Sequence, residues 1–297
     1  MQFYINYFKN LTMRHFFLLL TFVWATVASE AINLFHDTIK VATFNIRYDN
    51  PDDGINAWKL RKDSVSSFFD RQGLGIFGLQ EVLNSQLQDL KQALPGYDAL
   101  GVGRDDGKTK GEYSPVFYCK KRFTTLKWGV FWLSLTPNKA GSRGWDAGCN
   151  RIATWVKFKD KKSGKIFFFV ATHLDNDGVA ARKNSVVLIQ NQMRKIAGKT
   201  ATIIIAGDFN SSPDDVAYKI MTDPQTGFVD TRSVAKTVSG VTWSFHGFGQ
   251  TPLAERQLID FVFIKGPISV LSCDTPFIEH DGHFLSDHNP VLVVLLF

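Results

Sequence analysis

Cysteine is scarce: the 297 residues hold three, Cys119, Cys149 and Cys273. None forms a C-x-x-C pair or stands at metal-site spacing from a histidine, so the sequence carries no zinc-knuckle or redox signature. An exported chain with three thiols has room for one disulfide and a free cysteine. Three small buried apolar side chains is the simpler expectation. Other signatures are missing too. There is no H-E-x-x-H, no Walker lysine loop and no G-x-S-x-G elbow, which removes the usual support for zinc-protease, P-loop and serine-hydrolase chemistry. Strong charge of one sign is also absent. The formal net charge is +6, and Lys9 and Arg14 supply two of those charges ahead of the first acid, Glu30, leaving +4 for the rest. That mild excess suits an anionic substrate without demanding one. No basic stripe with interleaved aromatics, of the kind that tracks a single nucleic-acid strand, is visible. Internal repeats, low-complexity tracts and clear linkers are lacking as well.

The apolar run Phe16–Ala28 is shorter than the ~20 residues a spanning helix needs. Arg14 and His15 precede it, and Ala25, Thr26, Ala28 and Ser29 close it. A basic flank, a short apolar core and a small-residue end read as a signal peptide. Residues 1–30 are therefore expected to be a targeting segment, residues 31–297 a single domain, and the protein secreted or periplasmic. An uncleaved membrane anchor is the alternative. Initiation at Met13 would shorten the segment, and no cysteine follows the run to suggest a lipid anchor.

The composition, 44% hydrophobic and 21% charged, supplies ample core. Ile39–Asn45 alternates and reads as a strand, Arg47–Ala57 as a polar loop, and Trp58–Gln72 as a helix closed by Gly73. A strand over 74–80 delivers Glu81, and Leu87, Leu90 and Leu94 mark a helical face over 84–94. Further strands are expected at 97–102, 115–118, 123–133, 151–159 and 165–172, with a mobile glycine-rich loop at 103–112 and another long loop at 136–150. Val179–Ile196 is the strongest amphipathic helix. A strand over 202–208 follows, then a short helix at 214–221 and strands at 241–245, 258–264, 268–272 and 290–297. Many strands with a few helices between them imply a mixed α/β domain.

Polar residues stand at the ends of successive strands: Asn45, Glu81, Arg151, His173, Asp208, Asn210, Asp260, Asp287 and His288. Each alone has a structural explanation, such as a turn cap or a surface pair. Their joint appearance points to one functional rim. Ile203–Ala206 runs straight into Gly207, Asp208, Phe209 and Asn210. In an extended chain Asp208 and Asn210, two apart, point to the same side, and Gly207 permits close backbone approach. Carboxylate and amide oxygens suit a hard cation such as Mg²⁺. Histidines beside them can stabilise phosphate charge or move protons.

These residues sit in the strings TFNIR (43–47), LQEV (79–82), RIATW (151–155), ATHLD (171–175), AGDFN (206–210), IDFVF (259–263) and SDHNP (286–290). In that order the set resembles the endonuclease/exonuclease/phosphatase superfamily, DNase I-like, over residues 40–297. The segments 47–62, 103–118 and 144–155 resemble its exported, mostly bacterial branch, loosely similar to the deadenylases. The resemblance implies a four-layer α/β sandwich, with two mixed β-sheets packed face to face and flanked by helices. It implies a metal-dependent hydrolase acting on phosphoric esters, with Mg²⁺ (or Mn²⁺) held by Glu81, Asn45 and Asp287. Asp208 would orient or deprotonate the attacking water, and Asn210 would hold the phosphate or the nucleophile. His288, oriented by Asp260, and His173 would contact phosphate, as would Arg151. The resemblance implies in-line attack of water on phosphorus.

The substrate is not carried by those strings. Three classes stand: an exported phosphoesterase on a small or lipid-derived phosphate ester, a secreted nuclease, and a non-catalytic binder on the same fold. The modest charge and the export segment favour the first, and the intact acids and histidines disfavour the last. Lys59, Arg61 and Lys62 form a small basic cluster that reads first as the solvated face of a helix. Trp145 and Trp243 are candidates for stacking a ring, although burial is the commoner fate of tryptophan. No obligate protein partner is evident, and a monomer is expected.

Overall fold

The computed structural model describes residues 38–280 and 282–297; the expected targeting segment, residues 1–30, lies outside the described residues. Fifteen strands occur among them, β1 (Thr38–Asn45), β2 (Ile76–Gln80), β3 (Tyr97–Leu100), β4 (Val116–Cys119), β5 (Phe123–Trp132), β6 (Ile152–Asp160), β7 (Ile166–His173), β8 (Ile203–Asp208), β9 (Val229–Asp230), β10 (Thr237–Gly240), β11 (Asp260–Lys265), β12 (Ser269–Thr275), β13 (Glu279–His280), β14 (His283–Phe284) and β15 (Val291–Leu296). The α-helices are α1 (Trp58–Gln72), α2 (Asn84–Ala93), α3 (Val179–Ala197), α4 (Val216–Met221) and α5 (Thr231–Val234). One mixed sheet runs β10-β12-β15-β1-β2-β4-β3 and the other β5-β6-β7-β8-β11-β9.

Alternation of side chains along the strands explains the layering. In β1, Ile39 and Val41 face the space between the sheets, where they meet Phe167, Phe169, Ile204, Ala206 and Val262 of the second sheet. Ala42 and Phe44 face the other way, onto Val65, Phe68 and Phe69 of α1 and Leu87 and Leu90 of α2. In β8, Ile204 and Ala206 point between the sheets, while Ile203 and Ile205 pack on Val186, Ile189 and Met193 of α3 and Ala217 of α4. The result is helices, sheet, sheet, helices: the expected four-layer sandwich. The sheets come very close at Gly78, where a Cβ would stand 2.9 Å from the Cβ of Ala171.

Some local expectations fail. Residues 241–245 are not a strand. Ser244 and Phe245 donate their N–H groups to the Gln257 carbonyl at 2.8 and 3.0 Å, so the segment pins the entry to β11 instead of extending a ladder. The 103–112 segment is ordered by its own bonds, with Arg104 N–H donating to the Glu112 carbonyl at 3.1 Å and Asp105 N–H to that of Lys110 at 3.1 Å. Within the 47–57 loop, Pro51–Asn56 forms a 3-10 helix. Strands β9, β10, β13 and β14 span only two to four residues each, too short for a period-2 pattern to show. Gly73-Leu74-Gly75-Ile76-Phe77-Gly78 spells a G-x-G-x-x-G string, but it closes α1 and enters β2. That is the reverse of the strand-to-helix turn that cradles a dinucleotide. All three cysteines are free, with Cys273 buried in the inter-sheet core. No helix among the described residues is long and apolar enough to cross a membrane.

Candidate active site

The site is the end of the inter-sheet core, where the same rows of side chains turn from apolar to polar. Phe167, Phe169 and Ala171 lead along β7 to His173. Ile204 and Ala206 lead along β8 to Asp208. Ile264 and Val262 lead back along β11 to Asp260, and Ile39 and Val41 lead along β1 to Asn45. Register places three of these side by side, because Asp208 is the cross-strand partner of both His173 and Asp260. Asp287 and His288 come from the loop before β15. That loop is tied in by Ser286, whose hydroxyl donates to the Asn45 carbonyl at 2.7 Å, and by His246 N–H, which donates to the Asp287 carbonyl at 2.9 Å.

All nine expected residues gather around one cleft of about 580 Å³ or in the wall directly behind it. Asp208 is at its centre. Its Oδ2 accepts from Asn45 Nδ2 at 3.0 Å and lies 3.4 Å from His173 Nε2 and 3.7 Å from His288 Nε2. Its Oδ1 accepts the Asn210 N–H at 2.9 Å. The Asn45 amide also donates to Glu81 Oε1 at 3.0 Å, and its Oδ1 accepts the Arg47 N–H at 3.0 Å, so the residue expected as a metal ligand here braces two carboxylates and a turn instead of presenting a free oxygen. Asn210 does not follow the extended geometry expected from its spacing. Its φ of 44° turns the chain left-handed, and its Nδ2 donates to the Leu174 carbonyl at 3.0 Å and meets His173 Nε2 at 3.1 Å. With Leu174 O fixing that amide as the donor, His173 accepts at Nε2, and its Nδ1 is buried without a partner.

Electrostatics divide the labour between the two histidines. Burial, then the charges of Arg151, Arg104 and His288, hold His173 well below the usual range, so it is neutral. Burial alone would do the same to His288. The Asp260 charge and its 2.8 Å bond to Nδ1, helped by Asp208 and Asp287, instead raise His288 to about 10, so it is an imidazolium. Burial and repulsion from Asp260 raise Asp208 to about 7, against the pull of His288, the Asn210 N–H and Asn45. Asp287 is raised mainly by burial, with Glu81 adding to it.

Two donor sets could hold a metal. One ligand atom from each of Asp208, Asp260 and His288 lies within 4.8 Å of the others, but His288 Nδ1 is already spent on Asp260 at 2.8 Å and its positive charge offsets one of the two carboxylates. Glu81 and Asp287 line the open cleft. Both carboxylates face the Arg47 guanidinium, with Nη1 4.0 Å from Glu81 Oε2 and 3.9 Å from Asp287 Oδ2. Two carboxylates on the wall of one open cleft fit the donor chemistry of a hard divalent ion.

Arg151 is less free than its position suggested. Its Nε bonds Asp175 at 3.3 Å and its Nη2 donates to Asn176 Oδ1 at 2.7 Å, while Nη1 is buried without a partner. Sequence reasoning singled out neither Arg47 nor the pair Arg104 and Glu112, all of which line the cleft. Arg47 was visible only as the last letter of TFNIR. It also misplaced Arg61, which is 3% exposed and donates to the carbonyls of Ile46 and Leu285. Trp243 is buried under Arg256, with Cζ 4.4 Å from the ring centroid. Neither it nor Trp145 lines the cleft.

The model of the endonuclease/exonuclease/phosphatase family matches residues 42–288. The chain belongs to that family. An endonuclease/exonuclease/phosphatase from Bacteroides vulgatus is 46% identical and superimposes with a TM-score of 0.85, covering 88% of this chain and 99% of that one. A mannosyl-6-phosphatase from Bacteroides thetaiotaomicron is 35% identical, with a TM-score of 0.80 over 87% of this chain and 100% of that one. The human Nocturnin catalytic domain, 18% identical, has a TM-score of 0.70 over 88% of this chain and 94% of that one, a likeness of fold alone. Family membership makes the chain a metal-dependent hydrolase of phosphoric esters.

Proposed function

We propose that this chain is an exported, Mg²⁺-dependent phosphoesterase whose substrate is a small phosphomonoester. The observation that carries this reading is the place of Asp208, a buried carboxylate braced by Asn45 and standing 3.4 Å from His173 Nε2 and 3.7 Å from His288 Nε2 in the cleft that Glu81 and Asp287 also line. Ionised, Asp208 takes a proton from water held beside Asn210 and His173. His288 presents Nε2–H toward the same space and offsets charge that grows on phosphate. Asp260 fixes its ring, and Arg151 adds positive field. Glu81 and Asp287, braced by Asn45, would hold the divalent ion, Mg²⁺ or Mn²⁺. When bound, that ion would neutralise phosphate-oxygen charge and lower the pKa of water. Similarity to a mannosyl-6-phosphatase supports a monoester over nucleic acid, as do the modest charge and the lack of a basic stripe. The reading includes a monomer, and export through residues 1–30.

Purified protein should release phosphate from a phosphomonoester with Mg²⁺ and lose that activity in EDTA. Sphingomyelin, inositol phosphates and oligonucleotides belong in the same screen, since a lipid headgroup or a nucleic acid preferred over every monoester would sink the substrate assignment. Full activity in EDTA, or unchanged rates after Asp208→Asn and His288→Ala, would sink the mechanism. Fractionation of expressing cells checks export.

A further inference from the structure

Arg104 and Glu112 share the cleft with Glu81, Asp208 and His288. They form a two-pronged pair, with Nη1 donating to Oε2 at 2.8 Å and Nη2 to Oε1 at 2.7 Å. Their side chains are only 14% and 18% exposed. As a stability device a desolvated pair of this kind is poor value, since apolar residues of similar volume do as well or better. It also positions nothing catalytic: among the described residues the two side chains hydrogen-bond only each other.

The loop around the pair is nevertheless built to hold it. Trp132 Nε1 donates to the Arg104 carbonyl at 2.6 Å. Asp106 accepts the N–H groups of Lys108 and Lys110 at 2.8 and 3.0 Å, and Asn150 Nδ2 donates to Asp105 Oδ1 at 3.0 Å. Gly103 packs so tightly on Lys110 that no Cβ would fit. A fixed, half-desolvated ion pair facing a phosphoesterase cleft calls for a ligand.

Its chemistry defines that ligand. The fork uses one N–H on each Nη and one lone pair on each carboxylate oxygen. Each outer edge keeps an N–H beside a carboxylate lone pair. Two hydroxyls on adjacent carbons match this: one donates to Glu112 while its neighbour accepts from Arg104. Resting on the phosphomonoester reading, we propose that the Arg104–Glu112 pair recognises a vicinal diol on the leaving group, so that the substrate is a sugar phosphate. A site built to bond hydroxyls discriminates strongly against an analogue lacking them, because its own polar groups are then left unpaired.

The test compares mannose 6-phosphate, cyclohexylmethyl phosphate (a six-membered ring on the same kind of primary leaving oxygen, without hydroxyls or ring oxygen) and phenyl phosphate, all in Mg²⁺. Wild-type kcat/KM should favour mannose 6-phosphate over cyclohexylmethyl phosphate at least about tenfold. Glu112→Gln and Arg104→Gln should each cut that ratio at least about fivefold, chiefly through KM. A wild-type ratio near one, or a ratio unchanged in variants that melt near the wild-type temperature, overturns the diol assignment and leaves the phosphatase reading standing. Failure on all three substrates overturns the phosphatase reading, and the diol with it. Arg104→Gln keeps the backbone bonds to Trp132 and Glu112, so it carries the test if Glu112→Gln does not fold.

Discussion

Arg61 lies outside the chemistry but holds its two sides together. Its guanidinium donates to Ile46 O at 2.8 Å, Leu285 O at 2.6 Å and Arg47 O at 3.2 Å, and its Nε to Asn56 O. The Trp58 and Phe248 rings flank it, with centroids at 5.4 and 5.6 Å. Among the described residues no carboxylate pairs with it. Burial pulls it from 12.5 down to about 10 against the charges of Asp287 and Asp53, so keeping it charged costs about 3 kcal/mol at about 1.4 kcal/mol per unit. Arg61→Met fills much of the volume and removes that cost, but it leaves the Ile46, Leu285 and Asn56 carbonyls without their donor, while Arg47 O keeps Gln86 Nε2 at 2.9 Å. At about 2 kcal/mol for each unpaired group the gross loss is about 6 kcal/mol, and the net about 3 kcal/mol. Part of that returns if water reaches the half-buried Leu285 carbonyl, so a fall of about 2–3 kcal/mol in the unfolding free energy is expected. Urea melts with an unchanged m-value measure it. The carbonyls belong to segments that carry Asn45 and Arg47 on one side and Asp287 and His288 on the other. Catalysis should therefore fall at least about tenfold even under conditions where the variant is fully folded. Arg61→Lys keeps the charge but loses the fork, and should rescue little. A loss under about 1 kcal/mol with kcat/KM intact would refute the reasoning.

Gly78→Val should push the sheets apart, because a Cβ there already meets Ala171 Cβ at 2.9 Å and the Phe169 ring at 3.4 Å. The expected cost is roughly 1–3 kcal/mol, partly recovered by Ala171→Gly in the same chain, and thermal melts that show no loss would rule out this view of the contact. His246 predicts an acid limb in stability. It is buried, its Nδ1 accepts the Gly249 N–H at 3.0 Å, and burial followed by the His288 charge lowers it from 6.5 to about 4. A histidine depressed on folding contributes stability that is present above pH 6.5 and lost as pH falls through 6.5 toward 4, here about 3 kcal/mol. Unfolding free energies from urea melts at pH 7 and pH 4.5 for wild type and His246→Gln should diverge by about 2 kcal/mol, since the loss is complete only below pH 4, and parallel pH dependence in the two proteins would count against it.

The long elements were legible because periodicity and burial agree in them. Trp58–Gln72 is a helix with the bounds that Leu60, Val65, Phe68, Phe69 and Gly73 suggest, even though Leu60 itself proves exposed. The rim was legible for a different reason: a strand interior has no use for His173, Asp208 or Asp260, so their positions mark where the core ends. What was hidden depends on three-dimensional closure. Arg61 read as solvated because its neighbours Lys59 and Lys62 are exposed or nearly so, and nothing local announces four carbonyls waiting in other segments. Arg104 and Glu112 lie in a stretch rich in glycine and charge that reads as mobile until its mutual hydrogen bonds are seen. Residues 241–245 alternate like a strand, yet Ser244 spends its hydroxyl on the N–H groups of Ile259 and Asp260 at 3.0 Å each.

Asp208 and Asn210 do work in one place, but not because an extended chain sends alternate residues to one face. Asp208 Oδ1 captures the N–H of Asn210, two residues on, and Asn210 turns left-handed. The other sheet repeats the device. Asn45 Oδ1 captures the N–H of Arg47 at 3.0 Å, and Arg47 has φ 57°. In each turn the middle residue, Ile46 or Phe209, is fully buried and packs in the helix-side core of its own sheet. A strand-end Asn or Asp, a buried apolar anchor and a polar residue bent back into the cleft thus form one unit, used once per sheet. Glu81, also left-handed at φ 61°, is secured by Asn45 and by the Tyr48 N–H at 3.2 Å. Such backbones cost roughly 1–3 kcal/mol each and persist only where the surroundings over-determine them. Here the anchors are the two cores and the compensation is the side-chain-to-backbone bonds. The strings TFNIR and AGDFN are therefore alike for a mechanical reason: each ends a buried strand by turning its last polar side chains onto the same few ångströms of space.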